Sequence, residues 1–506
     1  MRKGLRITLL EHPREVSSVH FNDIANAPIC SCMMTGFAAA CLKEAGFQVT
    51  LVNAINWTFD ETKKHLLEAP FDLLAVHAVY FWEKTNLLFD MLTDLKRINH
   101  GVPICFFGFF PTLAWQDIMT HFPFIDYVIV GEPEETIVEL AHHMERGIDR
   151  GLRGLAVRIH DKPVLLGIRD PISSLDGLPY PLRPDIQNAQ TICVQASRGC
   201  YNGCSFCPIP VLTGGKAAWR GRSVQDVVYE VTGLVHKGYR DIYFVDPNFI
   251  GPGKAGKKRA FELARSLSEL GITFGMETRA DDLTSPLMKA LVDAGLTSLL
   301  IGLESGSHGV LNRLRKNTSV KENQDSIEMV REAGLEPELG FIMFEPESTV
   351  NDIEENFLFL KGNRLLDRLD RTVNILHHQQ ILFKGTSGYN RALAKGRLIS
   401  KGFLGFQGEP VYDDYRVAWL SRLVTSICQS VLKEMDNPHS PVYWKRESEN
   451  RAVFKRVNDR VVRVFSHLLN TSQDLRSDLD PKWSASVLRE LTEDIRAVTR
   501  KTELNR

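Results

Sequence analysis

Three cysteines, Cys200, Cys204 and Cys207, fall within eight residues at the spacing C-x3-C-x2-C, in a loop that also carries Gly199 and Gly203. Thiolates this close together mark a metal site rather than three separate packing positions. A closed zinc site takes four protein ligands, and the loop itself holds no fourth cysteine or histidine. Three thiolates instead leave one iron of a cubane [4Fe-4S] cluster open to a ligand that is not protein. An open iron is a place for chemistry. The alternative is a redox pair with a spare thiol beside it.

Such a loop needs a frame, and 506 residues are too many for one ordinary core. Two or three domains are expected. Hydrophobic residues make up 43% and charged residues 24%, the balance of a globular protein. A net charge of −1 gives no argument for nucleic acid as a partner. The nine cysteines are odd in number and clustered, which suggests a reducing compartment. Met1–Leu10 lacks the pattern of a secretion signal, and no transmembrane segment is evident, so a cytoplasmic location is expected.

Over residues 1–145 the candidate strands Leu5–Leu10, Gln48–Val52, Asp72–Val76, Pro103–Phe107 and Tyr127–Val130 alternate with candidate helices. Five β-α units in a row predict an α/β fold with a doubly wound, Rossmann-like parallel sheet. Ligands of such sheets lie beyond the carboxyl ends of the strands. That edge carries His12, the aromatic run Tyr80-Phe81-Trp82, the stretch Gly108–Thr112 and the stretch Gly131–Thr136. Residues 146–190 read as a linker, with a small hairpin turning at His160-Asp161-Lys162 and a proline-rich strap.

Residues 191–400 alternate again. Strands Thr191–Gln195, Asp241–Val245, Ile272–Met276, Ser298–Gly302, Glu336–Met343 and Thr372–Leu376, with helices between them, predict a partial (β/α)6 barrel. Asp246, Glu277, Arg279, Glu304 and Glu345 fall at the carboxyl ends of its strands, where they either meet a ligand or close salt bridges at the rim. Residues 401–506 form a helical region. Apolar stripes recur at Val417, Leu420, Leu423, Ile427 and Val431, at Val453, Val457, Val461, Val464 and Leu468, and at Val487, Leu491, Ile495 and Val498. His377 and His378 follow the sixth expected strand, one of them placed to act as acid or base or to serve structure.

The cysteine loop, with Phe206 just before its last cysteine, resembles the signature of radical S-adenosylmethionine (SAM) enzymes. The resemblance implies a [4Fe-4S] cluster whose open iron is chelated by the amino and carboxylate groups of SAM. One electron from that cluster then cleaves SAM to methionine and a 5′-deoxyadenosyl radical. By the same likeness Phe206, Asp246, Glu277, Arg279 and Glu304 are candidates to hold SAM. Gly108–Thr112 and Gly131–Thr136 resemble the G-x-x-P-T and G-E-x-E-E-T motifs of the cobalamin-binding domain that precedes many radical SAM cores. The implied cobalamin contacts are Tyr80, Trp82, Gly108, Thr112, Gly131, Glu132 and Thr136. From the residues alone, Tyr80, Phe81 and Trp82 either pack on the next helix or form a floor beneath the corrin ring.

The resemblance runs over about residues 5–400 and is strongest over about 191–350. It departs from the family in places. Leu10 replaces the aspartate of the motif D-x-H-x-x-G, so His12 is not expected to ligate cobalt. Glu345-Pro346-Glu347 replaces G-x-P-G, and the turn Phe383–Tyr389 matches P-G-T-P-L-Y only in part. The implied function is a cobalamin-dependent radical SAM methyltransferase that uses SAM twice, once to methylate cobalamin and once to abstract hydrogen from an unactivated substrate carbon. The alternatives are a radical SAM/cobalamin cyclase or other oxidoreductase, and a cobalamin-binding carrier or sensor. The implied partners are a small-molecule substrate and a flavodoxin- or ferredoxin-type electron donor.

Overall fold

The computed structural model describes residues 4–14, 33–99, 101–147, 152–184, 186–215 and 218–475, with a few isolated helical positions between 486 and 497. The first sheet holds β1 (Arg6–Glu11), β2 (Gln48–Asn53), β3 (Leu73–His77), β4 (Ile104–Phe107), β5 (Tyr127–Ile129), β6 (Leu155–Ile159) and β7 (Lys162–Leu165) in the order β2-β1-β3-β4-β5-β6-β7. The first five strands are parallel, as the β-α alternation predicts. Alternate side chains reach opposite faces. Leu74, Val76 and Phe106 enter one core, whereas Leu73, Ala75, Cys105 and Phe107 enter another on the far side.

The expected linker is partly sheet. Strands β6 and β7 pair antiparallel and extend the parallel sheet past β5. Their turn puts His160 and Asp161 at φ of 48° and 63°, the left-handed pair that a two-residue hairpin needs. The proline-rich strap then crosses the helix Met33–Glu44, where Leu182 N donates to Gly36 O at 3.0 Å.

The second parallel sheet comprises β8 (Ile192–Val194), β11 (Asp241–Phe244), β12 (Thr273–Arg279), β13 (Leu296–Glu304) and β14 (Glu338–Phe341), in the order β14-β13-β12-β11-β8. Between β8 and β11 lies an antiparallel hairpin, β9 (Ser197–Cys200) and β10 (Ala218–Gly221). The sixth expected strand, Thr372–Leu376, is instead part of the helix Leu369–His377. Its β-branched residues suggest a strand, but Leu369, Val373 and Leu376 are buried at helical spacing and pack against the C-terminal helices. One bridge, Phe344 to Gln379, stands where the sixth strand would lie.

A small antiparallel sheet follows, with β15 (Leu382–Phe383), β16 (Leu398–Lys401) and β17 (Gln407–Pro410). The boundary at residue 400 falls inside it. Helices Tyr415–Asp436 and Arg451–Gln473 bury the first two apolar stripes, and their side chains belong to the same core as the barrel strands. The third stripe lies outside the described residues. Among the described residues no helix is long and apolar enough to cross a membrane.

Phe465 is fully buried, with its ring 5.0 Å from that of Phe357 on a barrel helix. Phe465→Ala should therefore destabilise barrel and tail together by about 3–5 kcal/mol. Urea unfolding followed by circular dichroism should show one transition moved to lower denaturant; an early transition confined to a minority of the helical signal would mean that the tail is a separate unit.

Candidate active site

The cysteine loop leaves the barrel through a braced hairpin. Asp246, at the end of β11, is fully buried and accepts from Ala196 N at 3.1 Å, where the chain turns out of β8. Burial pushes its carboxyl up to about 6. Asn248 O accepts from Ser197 Oγ at 3.2 Å and from Trp219 Nε1 at 2.8 Å, one residue on each strand of the hairpin. Gly199 has φ of 78°, and a Cβ there would lie 2.0 Å from Ala218 O. Only glycine allows this pairing.

Beyond the hairpin, Arg279 lies 5.3 Å from the centre of the Tyr201 ring; its Nε donates to Tyr201 Oη at 3.1 Å and its Nη2 to Lys316 O at 2.8 Å. Tyr201 Oη donates in turn to Asp282 at 2.9 Å. Asn202 Nδ2 lies 3.1 Å from Cys204 Sγ and 3.0 Å from the carbonyls of Arg315 and Lys316. Ser205 N donates to Leu314 O at 2.8 Å. The Phe206 ring packs on the apolar group Val310, Leu314 and Ile342. Glu304 is left-handed at φ of 63° and accepts from Lys316 Nζ at 2.8 Å. Gly302 makes room for that pair, since a Cβ would lie 2.8 Å from both charged groups.

The expected SAM residues therefore have different fates. Asp246 and Arg279 brace the loop, Glu304 is paired, and Phe206 packs on protein. Glu277 stands apart, with Tyr243 Oη at 3.4 Å; burial pushes its carboxyl up to about 7. Asn202 and Lys316 are absent from the expected set, because nothing in their spacing marks them.

Cys200 and Cys204 lie close enough to Cys207 for their charges to act on its thiol, and three neighbouring thiolates are the donor set that a cubane with one open iron takes. Burial raises the thiols of Cys204 and Cys207, the latter to about 12, while Lys316 and the Asn202 amide act in the opposite sense on Cys204. Iron would replace those protons.

The switch point of the first sheet lies between β1 and β3, where strand order reverses. Glu11 is buried there beside Arg14, Thr35 and His77; these outweigh burial and hold its carboxyl down to about 2. His12 Nδ1 meets Pro13 O at 2.9 Å, and its Nε2 accepts from Val79 N at 3.1 Å. Burial and Arg14 keep the ring neutral down to about 3. Both ring nitrogens are thus engaged by backbone.

Tyr80 and Trp82 are not an exposed aromatic floor. Both are buried, and the Tyr80 ring lies 4.9 Å from Phe406, 5.7 Å from Phe110 and 5.9 Å from Phe383, so the β15–β17 sheet covers it. Gly108, at φ of 117°, leaves space that the His77 ring uses. Thr112 Oγ1 accepts from Gly131 N at 3.1 Å and Thr136 Oγ1 meets Arg153 O at 3.3 Å, so both hydroxyls serve backbone.

Glu132 is likewise engaged by protein. It accepts from Arg220 at 2.7 and 3.0 Å and from Ile172 N at 2.8 Å, while Glu134 accepts from Arg198 at 2.6 Å. Arg198 and Arg220 face each other across β9 and β10. Two like charges in register repel, and the two glutamates of the first sheet's edge neutralise them. The charge clamp fixes the cysteine hairpin to the first domain. Arg220→Ala would leave a buried glutamate short of its partner and should cost about 3–5 kcal/mol. Guanidinium unfolding is the check, and a loss below about 1 kcal/mol would place the pair among weak surface contacts.

Glu277 carries a pH signature. Its folded pKa lies above the ordinary 4.5, at about 7, so the native state holds the extra proton between these values. Stability falls as pH rises through that window and is level above it. Glu277→Gln should match wild type near pH 4 and exceed it at pH 8 by up to roughly 3 kcal/mol, measured by chemical unfolding across pH.

Residues 194–360 match the Radical SAM superfamily. The chain is 27% identical over 318 residues to a protein of Pyrococcus horikoshii named an uncharacterised methyltransferase, covering 60% of this chain and 67% of that one. It is 24% identical over 353 residues to the anaerobic magnesium-protoporphyrin IX monomethyl ester cyclase of Rubrivivax gelatinosus, covering 63% of this chain and 60% of the cyclase. The chain thus spans less than two thirds of the cyclase. Its fold matches the cobalamin-dependent S-adenosylmethionine radical enzyme OxsB at a TM-score of 0.81, with 18% identity over 99% of this chain and 81% of OxsB. The radical S-adenosylmethionine methyltransferase TsrM of Kitasatospora setae matches at 0.59, with 16% identity over 72% of this chain and 71% of TsrM. Residues 194–360 thus carry a Radical SAM superfamily domain, and the chain shares its fold with the cobalamin-dependent radical enzyme OxsB.

Proposed function

We propose that the protein is a cobalamin-dependent radical SAM methyltransferase that places a methyl group on an unactivated carbon of a small molecule. The observation that carries this reading is the clamp between Glu132, Glu134, Arg198 and Arg220, which sets the cysteine hairpin against the ligand-binding edge of a doubly wound sheet. Cys200, Cys204 and Cys207 would hold a [4Fe-4S] cluster, and Glu277 would face SAM. Together the bound groups supply a hydrogen-abstracting radical and a methyl carrier.

The chain's own part is placement. Asp246, Asn248 and Arg279 hold the loop rigid from beneath. Among the described residues no ion pair reaches Glu277, and its carboxyl ionises more readily once an ammonium group lies beside it. Leu212 O, five residues past the last cysteine, lies 3.5 Å from where a Gly131 side chain would begin, so the edge motif and the cysteine segment enclose a shared border. With both groups bound along that border, a methyl carrier and a radical source would reach the same substrate carbon.

A second reading, ring closure without methyl transfer, draws support from the cyclase alignment, which takes in slightly more of this chain than the methyltransferase one. The test is anaerobic reconstitution with iron, sulfide and hydroxocobalamin, followed by reduction with SAM and mass spectrometry. Methyl transfer predicts 5′-deoxyadenosine together with S-adenosylhomocysteine, and Cys204→Ala should abolish the deoxyadenosine. Deoxyadenosine alone favours the second reading. Neither product, with cluster and cobalamin bound, would overturn both.

A further inference from the structure

We propose that Asn202 is a positioning residue that tunes the cluster by donating a hydrogen bond from its side-chain amide to the Cys204 thiolate. This inference rests on the three cysteines holding a [4Fe-4S] cluster, as argued above. Asn202 Nδ2 lies 3.1 Å from Cys204 Sγ, and the residue is 7% exposed. A hydrogen bond to a cluster thiolate lowers the charge on sulfur and favours the reduced state, so it raises the reduction potential.

The amide cannot easily turn away. The same nitrogen lies 3.0 Å from both Arg315 O and Lys316 O, and Asn202 Oδ1 accepts from Asn317 Nδ2 at 2.7 Å. These partners fix which end of the amide faces sulfur, because only nitrogen donates; its two protons serve three acceptors, so one N–H is shared between sulfur and a carbonyl. The segment that supplies them is held in a costly shape. Arg315 and Asn317 are both left-handed, at φ of 53° and 55°, on either side of Lys316. Arginine has no ease in that region. The strained turn aims two carbonyls at one amide, and Arg279 Nη2 holds the second of them at 2.8 Å.

The same turn delivers a charge. Lys316 is 4% exposed and paired with Glu304 at 2.8 Å, and its ammonium favours the Cys204 thiolate. Strain in residues 315–317 therefore serves two ends at Cys204, an oriented donor and a buried cation. A purely structural asparagine would need the carbonyls but not the sulfur.

The experiment uses the full chain, reconstituted anaerobically, with the reduced cluster observed by electron paramagnetic resonance. In wild-type protein labelled with 15N-asparagine, a 15N coupling to the cluster and an exchangeable proton lost in D2O are expected. Asn202→Leu keeps the side-chain size and removes the donor. At the wild-type midpoint potential its reduced-to-oxidised ratio should fall about tenfold, equivalent to ~59 mV for one electron. A cluster present in wild type without either coupling would overturn the role of Asn202, even if the variant fails to assemble. An unchanged midpoint in a loaded variant would overturn it as well. Absence of any cluster signal from wild type, with iron unbound, would instead overturn the reading of the cysteines and this inference with it.

Discussion

Two arginines in register on neighbouring strands are an unfavourable arrangement, and this fold depends on making it favourable. Arg198 and Arg220 face each other across the cysteine hairpin, and their charges are met by Glu132 and Glu134 from the edge of a different sheet. Without the glutamates the hairpin would repel itself; without the arginines two buried carboxylates would lose the cations they are paired with. Each domain thus supplies what the other needs to bury the border. Phe37 adds to this, since the Arg198 guanidinium lies 5.0 Å from its ring. The site has its geometry because neither half is complete alone.

The barrel rim shows the same economy on a smaller scale. Polar residues at the carboxyl ends of parallel strands are commonly read as ligand contacts, yet here several point back into the protein. Asp246 accepts from the backbone that leads into the hairpin, Asn248 ties β9 to β10, and Arg279 links Tyr201 to Lys316. The loop that carries the three cysteines has little regular structure of its own. Its rigidity is borrowed from the rim.

The elements of the first sheet were legible in the sequence because β-α alternation with continuous apolar strands has one common solution. The cysteine spacing was equally legible, since it is local. The sixth barrel strand was not, because Thr372, Val373 and Ile375 favour a strand locally while packing against helices more than 40 residues later makes Leu369–His377 a helix. The cover over Tyr80 was not legible for a related reason: the sheet that supplies it begins some 300 residues along the chain. The ion pair of Glu132 was equally hidden, because Arg220 lies 88 residues away and on another domain. In each case the deciding contact was distant in sequence, where composition and period carry no information.

Glu277 and Glu304 make the point most sharply, because they end adjacent strands of one sheet and look alike in the sequence. Lys316 separates them. It pairs with Glu304, leaving that carboxylate a structural anion, whereas Glu277 has a tyrosine hydroxyl for company and an elevated pKa. A carboxyl kept costly in the empty fold is most strongly stabilised by whatever brings it a positive charge. The arrangement therefore favours occupancy by a cation at Glu277 and gives Glu304 no such preference. One lysine, held by a strained turn, decides which of two similar acids is paired and which is left with a raised pKa.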